Sequence, residues 1–369
     1  MKVLILSANT GEGHNSCAKA IREACQSCGD SCEIADVFSL VSVKLSDIIA
    51  KSHINSYRKT PRLSNAGYGF LENHPELFSQ DHLIYKAMST GRKQIADCVR
   101  QGQYDAVICT HVLAAMGLTA AIRQEGVQVR SAFVATDYSC TPGINGTDLD
   151  YYFIPHESFR EDFVRAGILT EKIVATGIPV RKAFAPAADK AALKEKMGLC
   201  AQKKHLLIMC GSMGCGPIPQ MLGNIEPLMP SDWEITVMCG SNEALQNELE
   251  ALYPQQAHVH IRGYEQQMPL LLSAADLYLT KPGGLSATEA LAAAVPMVLV
   301  DAVAGCEENN LRYFVSMGFA AAGQTAAETA ELCLEWMHAP DELERVKQNM
   351  LSQAPLHAAA VIRRTMAQA

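Results

Sequence analysis

The stretch from Thr280 to Ala290, TKPGGLSATEA, combines two glycines and a carboxylate at a spacing that suits nucleotide binding. Gly283 and Gly284 can adopt backbone angles closed to other residues and let a ligand approach the main chain. A helix that begins directly after them offers N–H groups and its positive dipole end to a phosphate. Glu289 lies about one turn in, where its carboxylate can accept hydrogen bonds from ribose hydroxyls. The stretch therefore indicates a nucleotide site, although an ordinary strand–turn–helix corner shares these features.

Other turns at predicted strand ends also carry glycine, and most of them lie in the second half of the chain. They are Gly11 with Gly13, Gly211-Ser212-Met213-Gly214, Gly240 and Gly263. Because parallel strands end at the same edge of a sheet, the second-half turns are expected to share one rim. Backbone N–H groups and helix ends on such a rim can hold the diphosphate of a nucleotide.

The glycine turns match neither of the two common phosphate-binding fingerprints. Gly11 and Gly13 lack a third glycine in register, since position 16 is Ser. Asp36 lies at about the right distance for the ribose-binding acid of a dinucleotide fold, but it does not complete that pattern. No G-x4-G-K-[ST] sequence occurs, so a Walker-type loop is not expected.

The elements that must position these turns are strands and helices that alternate in two series. The first series has predicted strands at 2–8, 33–37, 106–110, 131–136, 151–155 and 172–176, with a turn at Asn9–His14 and a helix at 15–29. The second has strands at 205–210, 234–239, 259–261, 277–280 and 297–300, and helices near 217–228, 242–252, 266–274, 285–294 and 307–317. Residues 325–368 are predicted to form two or three further helices. Such alternation is typical of an α/β fold with parallel sheets.

The two series predict two doubly wound parallel-sheet domains that face each other across a cleft. A linker-like stretch, Ala185-Pro186-Ala187-Ala188, follows the first series. The expected domains are 1–183 and 184–352, and a last helix at about 353–369 is expected to pack back on the first domain.

The composition is that of an ordinary globular protein, with 369 residues of which 49% are apolar and 19% charged. The formal net charge is −8, yet residues 1–185 carry 19 basic and 19 acidic residues, so the acidic excess lies in the second half. Nucleic acid is not expected as a partner, because binding a duplex needs a clear basic footprint.

The 13 cysteines do not indicate a metal site. Cys25, Cys28 and Cys32 have a C-x2-C-x3-C spacing, but no fourth ligand follows nearby, so no metal is expected. The size of the chain and the absence of a signal peptide suggest reduced thiols and a cytoplasmic location. No apolar run reaches the roughly 18 residues that a membrane-spanning helix needs.

Residues 44–100 are basic and aromatic in a chain that is otherwise acidic. They hold nine Lys and Arg against five Asp and Glu, interleaved with apolar side chains such as Tyr57, Tyr68 and Phe70. This pattern suits the surface of an anionic bilayer. A helical insertion that packs on its own domain, with its charges in solvent, is the alternative.

Several of these motifs resemble those of a known family. The 280–290 stretch followed by Gly305-Cys306-Glu307-Glu308-Asn309-Asn310 is similar to the nucleotide-sugar half of monogalactosyldiacylglycerol synthases and processive diacylglycerol glucosyltransferases. The first strand with Asn9–His14 resembles the start of the acceptor domain in that family. Thr136-Asp137-Tyr138 and Gly177-Ile178-Pro179 match further landmarks, so the resemblance covers about residues 2–350.

The resemblance implies a GT-B glycosyltransferase that inverts at the anomeric carbon, needs no cofactor or bound metal, and takes a UDP-hexose as its donor substrate. The first domain would take a diacylglycerol-type lipid at the inner face of the cell membrane, and the second would bind the UDP-sugar. The donor residues it implies lie by the diphosphate, the uracil, the ribose and the sugar. They are Gly211, Ser212, Met213, Gly214, Gly283, Gly284 and Ser286 for phosphate, Gly263 and Tyr264 for uracil, Glu289 for ribose, and Glu307, Glu308 and Asn310 for sugar, with Gly240 on the same rim.

Two departures from the family pattern bear on specificity. Cys306 stands where the family has Gln, whose amide can both donate to and accept from sugar hydroxyls, while a thiol does so only weakly. Ser139-Cys140-Thr141 follows Thr136-Asp137, where the family tends to have His and Trp. The identity of the sugar and the contacts to the acceptor are therefore left open.

His14 is the predicted catalytic base for the incoming hydroxyl, since its side chain titrates in the range that such a step requires. Asp137 is predicted to orient His14 or to act as the base itself; capping a turn is its alternative role. Glu12 is a weaker candidate.

Two other functions remain open: a UDP-sugar epimerase or hydrolase of the same fold, and a non-catalytic nucleotide-sugar-binding protein.

Overall fold

The computed structural model describes residues 1–9, 12–42, 44, 46, 74–78, 82, 90–254, 258–300, 305–354 and 356–368. The chain divides into two units, which are described separately. The N-terminal unit comprises Met1–Arg181, Ala304–Cys306 and Pro355–Ala369, and the C-terminal unit comprises Lys182–Val303 and Glu307–Ala354. The sequence prediction placed the boundary between domains after residue 183.

The N-terminal unit is built on a sheet of six parallel strands in the order β2-β1-β3-β4-β5-β6. The strands are β1 (Lys2–Ser7), β2 (Ser31–Asp36), β3 (Ala106–Cys109), β4 (Arg130–Val134), β5 (Tyr151–Ile154) and β6 (Ile173–Ala175). Among the described residues, the α-helices between them include α1 (Glu12–Ser27), α2 (Val37–Val41), α3 (Arg92–Gly102), α4 (Val112–Glu125) and α5 (Arg160–Arg165). The central strands are almost wholly apolar because helices cover both faces of a parallel sheet.

The direction of winding reverses at β1. This strand pairs with β2 on one side and with β3 on the other, both in parallel. The turns that follow β1 and β3 therefore meet at the topological switch point, where doubly wound sheets bind their ligands. The turn after β4 lies beside them, because β4 pairs with β3.

The start of α1 differs from the sequence prediction. Asn9–His14 was predicted as a turn, but α1 begins at Glu12 and includes His14 in its first turn. Gly13 lowers helix propensity, yet a carboxylate at Glu12 interacts favourably with the positive end of the helix dipole. Gly11, one of the predicted turn glycines, lies outside the described residues.

The C-terminal unit has a second sheet of six parallel strands, in the order β12-β11-β10-β7-β8-β9. The strands are β7 (Lys204–Met209), β8 (Trp233–Met238), β9 (Val259–Arg262), β10 (Leu277–Thr280), β11 (Met297–Leu299) and β12 (Ala320–Ala322). The α-helices are α6 (Lys190–Lys196), α7 (Ile218–Ile225), α8 (Glu243–Leu252), α9 (Met268–Ala274), α10 (Gly284–Ala293), α11 (Cys306–Ser316), α12 (Ala326–His338) and α13 (Pro340–Gln353). Read from β9, this is the dinucleotide-fold order, and its switch point lies between β7 and β10.

The sequence prediction missed β12. Three consecutive alanines form this short edge strand, and alanine is depleted in strands because it offers little side chain to pack. The predicted α/β fold, with two doubly wound parallel sheets, is confirmed by both sheet orders.

A last helix, α14 (Ala358–Gln368), belongs to the N-terminal unit and contacts α1. Arg363 on α14 donates two hydrogen bonds to the carboxylate of Asp30, with Nε 2.7 Å from Oδ2 and Nη2 3.1 Å from Oδ1. This guanidinium lowers the pKa of Asp30. Arg130 at the start of β4 donates to the carbonyl of Met366 over 2.6 Å. The ion pair with Asp30 and the hydrogen bond from Arg130 thus fix this helix against the N-terminal unit.

Most of the basic and aromatic segment at 44–100 lies outside the described residues; residues 44, 46, 74–78, 82 and 90–100 are described. In the described part of the chain, no helix is long and apolar enough to cross a bilayer. No group of three potential metal-ligating side chains occurs there either.

Candidate active site

The first candidate site lies at the switch point of the N-terminal sheet and centres on His14. The imidazole Nδ1 lies 2.7 Å from the carbonyl oxygen of Thr110, the residue after β3. A carbonyl oxygen can only accept, so Nδ1 carries the proton and donates it to Thr110. The other ring nitrogen, Nε2, then has its lone pair available in the neutral ring. This is the tautomer that a general base requires.

Two threonines line the same side of the ring. The Oγ1 atom of Thr136 lies 3.2 Å from Nδ1 of His14. The Oγ1 atom of Thr110 is buried and has no hydrogen-bond partner among the described residues. The turns after β1, β3 and β4 therefore converge at this point, as the strand order requires.

The electrostatic surroundings of His14 keep its ring neutral at neutral pH. Burial is the main effect and lowers the pKa of His14 below its ordinary value. The negative charge of Asp137, three residues beyond β4, acts in the opposite direction, as does the hydrogen bond to Thr110. Asp137 thus favours the imidazolium that would form when His14 accepts a proton.

Glu12 does not share this environment. Its carboxylate is half-exposed and lies 3.6 Å from the ammonium of Lys19. A screened surface pair of this kind is weak. The structure thus places Glu12 as a solvated acid, in agreement with its weaker standing in the sequence analysis.

A second histidine, His111, was missed by sequence reasoning. Its ring contacts the ring of His14 edge to face, with centroids 4.6 Å apart and planes at 75°. His111 is also the N-cap of α4, where its Nδ1 accepts a hydrogen bond of 3.1 Å from the N–H of Leu113. Its position directly after the strand predicted at 106–110 was the signal in the sequence, but the pairing of that strand with β1 is known only from the structure.

The second candidate site lies at the carboxyl edge of the C-terminal sheet. Two of its loops, which follow β7 and β8, fit tightly against each other. The N–H of Ser241 donates to the carbonyl of Ser212 over 2.9 Å, and the Asn242 side chain donates to the carbonyl of Gly214 over 2.9 Å. Gly214 and Gly240 both have positive φ, +57° and +56°. These contacts fix the 211–214 segment that was predicted to face a diphosphate.

The loop after β10 lies beside the loop after β7, because these two strands are paired at the switch point. Gly283 is the N-cap of α10 and has no side chain with which to cap the helix. Its φ is −70°, and Gly284 is the first helical residue, so the positive φ that glycine allows is not used here. What these glycines provide is close access to the backbone of the first helical turn, in which Ser286 Oγ donates to the Gly283 carbonyl over 3.3 Å. The predicted helix after the glycines is confirmed, and Glu289 lies half-buried within it.

The first turn of α11 fixes this loop from the side. Glu307 pairs with Lys281 at 3.2 Å, and both side chains are largely buried. Asn310 is fully buried and donates a hydrogen bond of 2.9 Å to the carbonyl of Pro282. Glu308, the third predicted sugar residue, is exposed. Lys281 is a second residue that the predicted site did not include.

The predicted uracil residues lie further along the same edge. Gly263 and Tyr264 follow β9, the edge strand two positions from β7. Tyr264 is 70% exposed, so its ring is accessible to a ligand. The contact with a base stays a prediction.

Comparison with known proteins decides the family. Residues 14–180 match the family model for monogalactosyldiacylglycerol synthase, and residues 232–353 match that for group 1 glycosyl transferases. A processive diacylglycerol beta-glucosyltransferase from Bacillus cereus (strain B4264) is 30% identical over 86% of this chain and 81% of its own length. The chain belongs to this glycosyltransferase family. A protein of the same name from Bacillus pumilus is 28% identical over 98% of this chain and 93% of its own length.

Solved structures share the fold of this chain over its whole length. MurG from Acinetobacter baumannii has a TM-score of 0.65 and 16% identity, and covers 100% of this chain and 99% of its own. A UDP-GlcNAc 2-epimerase from Neisseria meningitidis has a TM-score of 0.64 and 13% identity, and both chains are covered in full. These likenesses confirm the GT-B fold, which by itself does not choose between transferase and epimerase. Membership of the family chooses between them. The predicted glycosyltransferase activity is confirmed over an epimerase, a hydrolase or a non-catalytic binding protein.

Proposed function

We propose that this glycosyltransferase moves a hexose, glucose or galactose, from a UDP-sugar to a diacylglycerol-type lipid, with inversion at the anomeric carbon and without a bound metal. The relatives from Bacillus cereus and Bacillus pumilus are named as diacylglycerol beta-glucosyltransferases, which supports the donor sugar and the acceptor. The observation that carries the proposal is the convergence of glycine loops and the N-terminus of α10, whose N-cap residue is a glycine, at the switch point between β7 and β10.

The C-terminal site binds the donor. The diphosphate is bound by the first turn of α10, with Gly283, Gly284 and Ser286, and by the loop after β7. Lys281 brings a positive charge to this loop, and the carboxylate of Glu307 neutralises that charge. The other donor residues are assigned by the group that they contact. Uracil is bound by Gly263 and Tyr264, the diphosphate by Gly211, Ser212, Met213 and Gly214, the ribose by Glu289, and the sugar by Glu307, Glu308 and Asn310. Gly240 supports the loop that binds the diphosphate.

The N-terminal site activates the acceptor. As the lipid hydroxyl oxygen bonds to the anomeric carbon, its proton passes to Nε2 of His14. The bond from that carbon to the diphosphate breaks at the same time, and UDP leaves with the electron pair. Asp137 stabilises the resulting imidazolium, and the N–H groups at the start of α10 stabilise the negative charge that develops on UDP.

The sugar is selected near the start of α11. Cys306 is half-buried at the first position of this helix, next to Glu307. A thiol forms only weak hydrogen bonds, so the carboxylates and Asn310 carry most of the recognition of the sugar hydroxyls.

Lipid-dependent UDP release is the test of this activity. We expect UDP-glucose or UDP-galactose to yield UDP at an appreciable rate only when diacylglycerol in mixed micelles is present, together with a glycolipid seen by mass spectrometry. UDP release without lipid would indicate a hydrolase, and a changed UDP-sugar without UDP release would indicate an epimerase. Binding of UDP without any product would indicate a binding protein. Each of these three outcomes contradicts the proposal.

The membrane partner follows from the same proposal. To reach a lipid acceptor, the protein must dock on the membrane. We propose that the basic and aromatic segment at 44–100 docks on the cytoplasmic face of the cell membrane. We expect the protein to float with phosphatidylcholine vesicles that contain phosphatidylglycerol, and to dissociate in high salt, because surface charge attraction is screened.

A matched pair of variants tests the location of that docking surface. Lys59→Gln with Arg62→Gln should weaken flotation, since each basic residue near an anionic surface contributes about 1 kcal/mol. Arg345→Gln with Lys347→Gln removes the same charge from α13 and should leave flotation unchanged. Equal loss in both variants would show a non-specific charge effect, and no flotation of the wild type at low salt would exclude an anionic bilayer as the partner.

A further inference from the structure

Two imidazoles meet at the switch point of the N-terminal sheet, and the chemistry described so far uses only one of them. The rings of His14 and His111 are in edge-to-face contact, with centroids 4.6 Å apart. This is within the usual separation for aromatic pairs that stabilise each other's orientation. His111 follows Thr110, whose carbonyl accepts the Nδ1 proton of His14. One short backbone segment therefore supplies both the hydrogen-bond acceptor and the neighbouring ring.

The N-cap contact fixes the protonation state of His111. Its Nδ1 accepts from the N–H of Leu113 at 3.1 Å, so this nitrogen carries no proton. The proton of the neutral ring is then on Nε2. Protonation of Nδ1 would remove the acceptor and break the cap of α4. The helix thereby favours an uncharged ring next to His14, where a second positive charge would oppose proton uptake.

The contacts of His14 define a single orientation of its ring. Nδ1 is directed to the Thr110 carbonyl, with Oγ1 of Thr136 at 3.2 Å. The ring of His111 contacts the imidazole of His14 edge to face, at an interplanar angle of 75°. Rotation of the His14 ring about its χ2 angle would break the hydrogen bond to Thr110 and alter the edge-to-face contact with His111. Nε2 is therefore directed away from these groups.

We propose that His111 is a positioning residue: its ring holds the imidazole of His14 in the orientation that presents Nε2 to the acceptor hydroxyl, and this role is separable from its capping of α4. The inference rests on the proposed role of His14 as the base. His111 itself transfers no proton and need not contact the substrate.

The charged groups around His14 determine the expected pH dependence. Asp137 faces it from the turn after β4, and His111 from the turn after β3. Glu12, on α1 itself, is half-exposed and paired with Lys19. Burial is the main effect that lowers the pKa of His14. Removing the His111 ring admits water to this side of His14, so its pKa should rise towards the ordinary value. The acid limb of the pH profile of kcat/KM should then move to higher pH, because the base stays protonated further up the scale.

Two substitutions separate the ring from the cap. His111→Asn keeps a side-chain oxygen that can accept at the N-cap and removes the ring. His111→Phe keeps a ring of similar size and removes the acceptor. We expect the Asn variant to unfold at nearly the wild-type temperature, to lose kcat by about tenfold to a hundredfold with little change in KM for the UDP-sugar, and to show the shifted acid limb. The Phe variant should unfold at a lower temperature but keep the wild-type acid limb when assayed below that temperature.

A histidine that acts only as a cap would differ from this expectation in the Asn variant alone, since both roles predict a less stable Phe variant. Wild-type kcat and an unchanged acid limb in the Asn variant would overturn the proposal. If the Asn variant does not fold, His111→Ser, a second capping residue without a ring, replaces it in the same assays.

NMR titration of the His14 ring in wild type and His111→Asn gives a readout that does not depend on turnover. A higher His14 pKa in the variant supports the contact between the rings even if lipid transfer itself is not observed. An identical pKa in both proteins contradicts it even if lipid transfer is observed. Failure of the inference and failure of the proposed function are thus told apart.

Discussion

Replacing His14 by Asn is expected to reduce kcat by about a thousandfold or more, at the upper end of what a general base contributes. Asn has no group that can take a proton from a hydroxyl at neutral pH. Its side chain can still donate to the Thr110 carbonyl in place of the imidazole Nδ1, which lies 2.7 Å from that oxygen. The fold of the switch point should therefore survive. Affinity for UDP should be unchanged, because the donor loops belong to the other unit.

The measurement combines single-turnover transfer to lipid with calorimetric titration of UDP. Glu12→Gln is the matched control on the same helical turn, since that carboxylate is half-exposed and paired with Lys19. Its turnover should remain close to that of the wild type. If His14→Asn retains near-normal kcat while Asp137→Asn loses it, the base is Asp137 and His14 has a structural role.

The N-terminal site shows what sequence patterns reveal and what they leave out. The strand rhythm placed His14, Thr136 and Asp137 close to strand ends, and Asp137 was predicted to orient His14 or to act as the base itself. The order of the strands could not be read from that rhythm, because β1 pairs with β3 across about 100 residues of the chain. Without that pairing, nothing connects Thr110 and His111 with His14. The missed histidine is a consequence of long-range topology.

The C-terminal site was predicted more completely, because its signal is local. A glycine pair, a helix start and a carboxylate one turn later fall within eleven consecutive residues. The pattern nevertheless suggested the wrong use for Gly283, which has an ordinary φ of −70°. It also gave no sign of the ion pair between Lys281 and Glu307, since two residues 26 positions apart carry no common periodicity. The resemblance supplied Glu307 and Asn310, while the structure supplied what they contact.

Gly240→Ala is expected to weaken binding of UDP by about a hundredfold and to lower the unfolding temperature of the C-terminal unit. A Cβ atom at this position would lie 2.1 Å from the carbonyl oxygen of Ser212, far inside van der Waals contact with a backbone atom. The φ of +56° adds a strain of about 1 kcal/mol for a residue with a side chain. The loop after β8 must then separate from the loop after β7, and the hydrogen bond from Ser241 to Ser212 breaks.

Gly214→Ala should have a similar effect from the opposite side, since its Cβ would lie 2.2 Å from the carbonyl oxygen of Cys239. Gly198→Ala is the matched control: its φ is also positive, at +73°, but no atom lies within 4 Å of an added Cβ. It should lose only the strain of about 1 kcal/mol and keep the affinity for UDP. Calorimetry and thermal unfolding measure both quantities in all three variants.

The double variant of Gly214 and Gly240 decides whether the two loops act as one. Both substitutions separate the same two loops, so their combined effect on UDP affinity should be much smaller than the sum of the single effects. Additive losses would mean that each loop binds the donor independently, and the interlocking of the 211–214 and 239–242 segments would then not be the feature that forms the diphosphate site. If the losses of UDP affinity are sub-additive and Gly198→Ala binds UDP as the wild type does, the diphosphate site is formed by the two loops together.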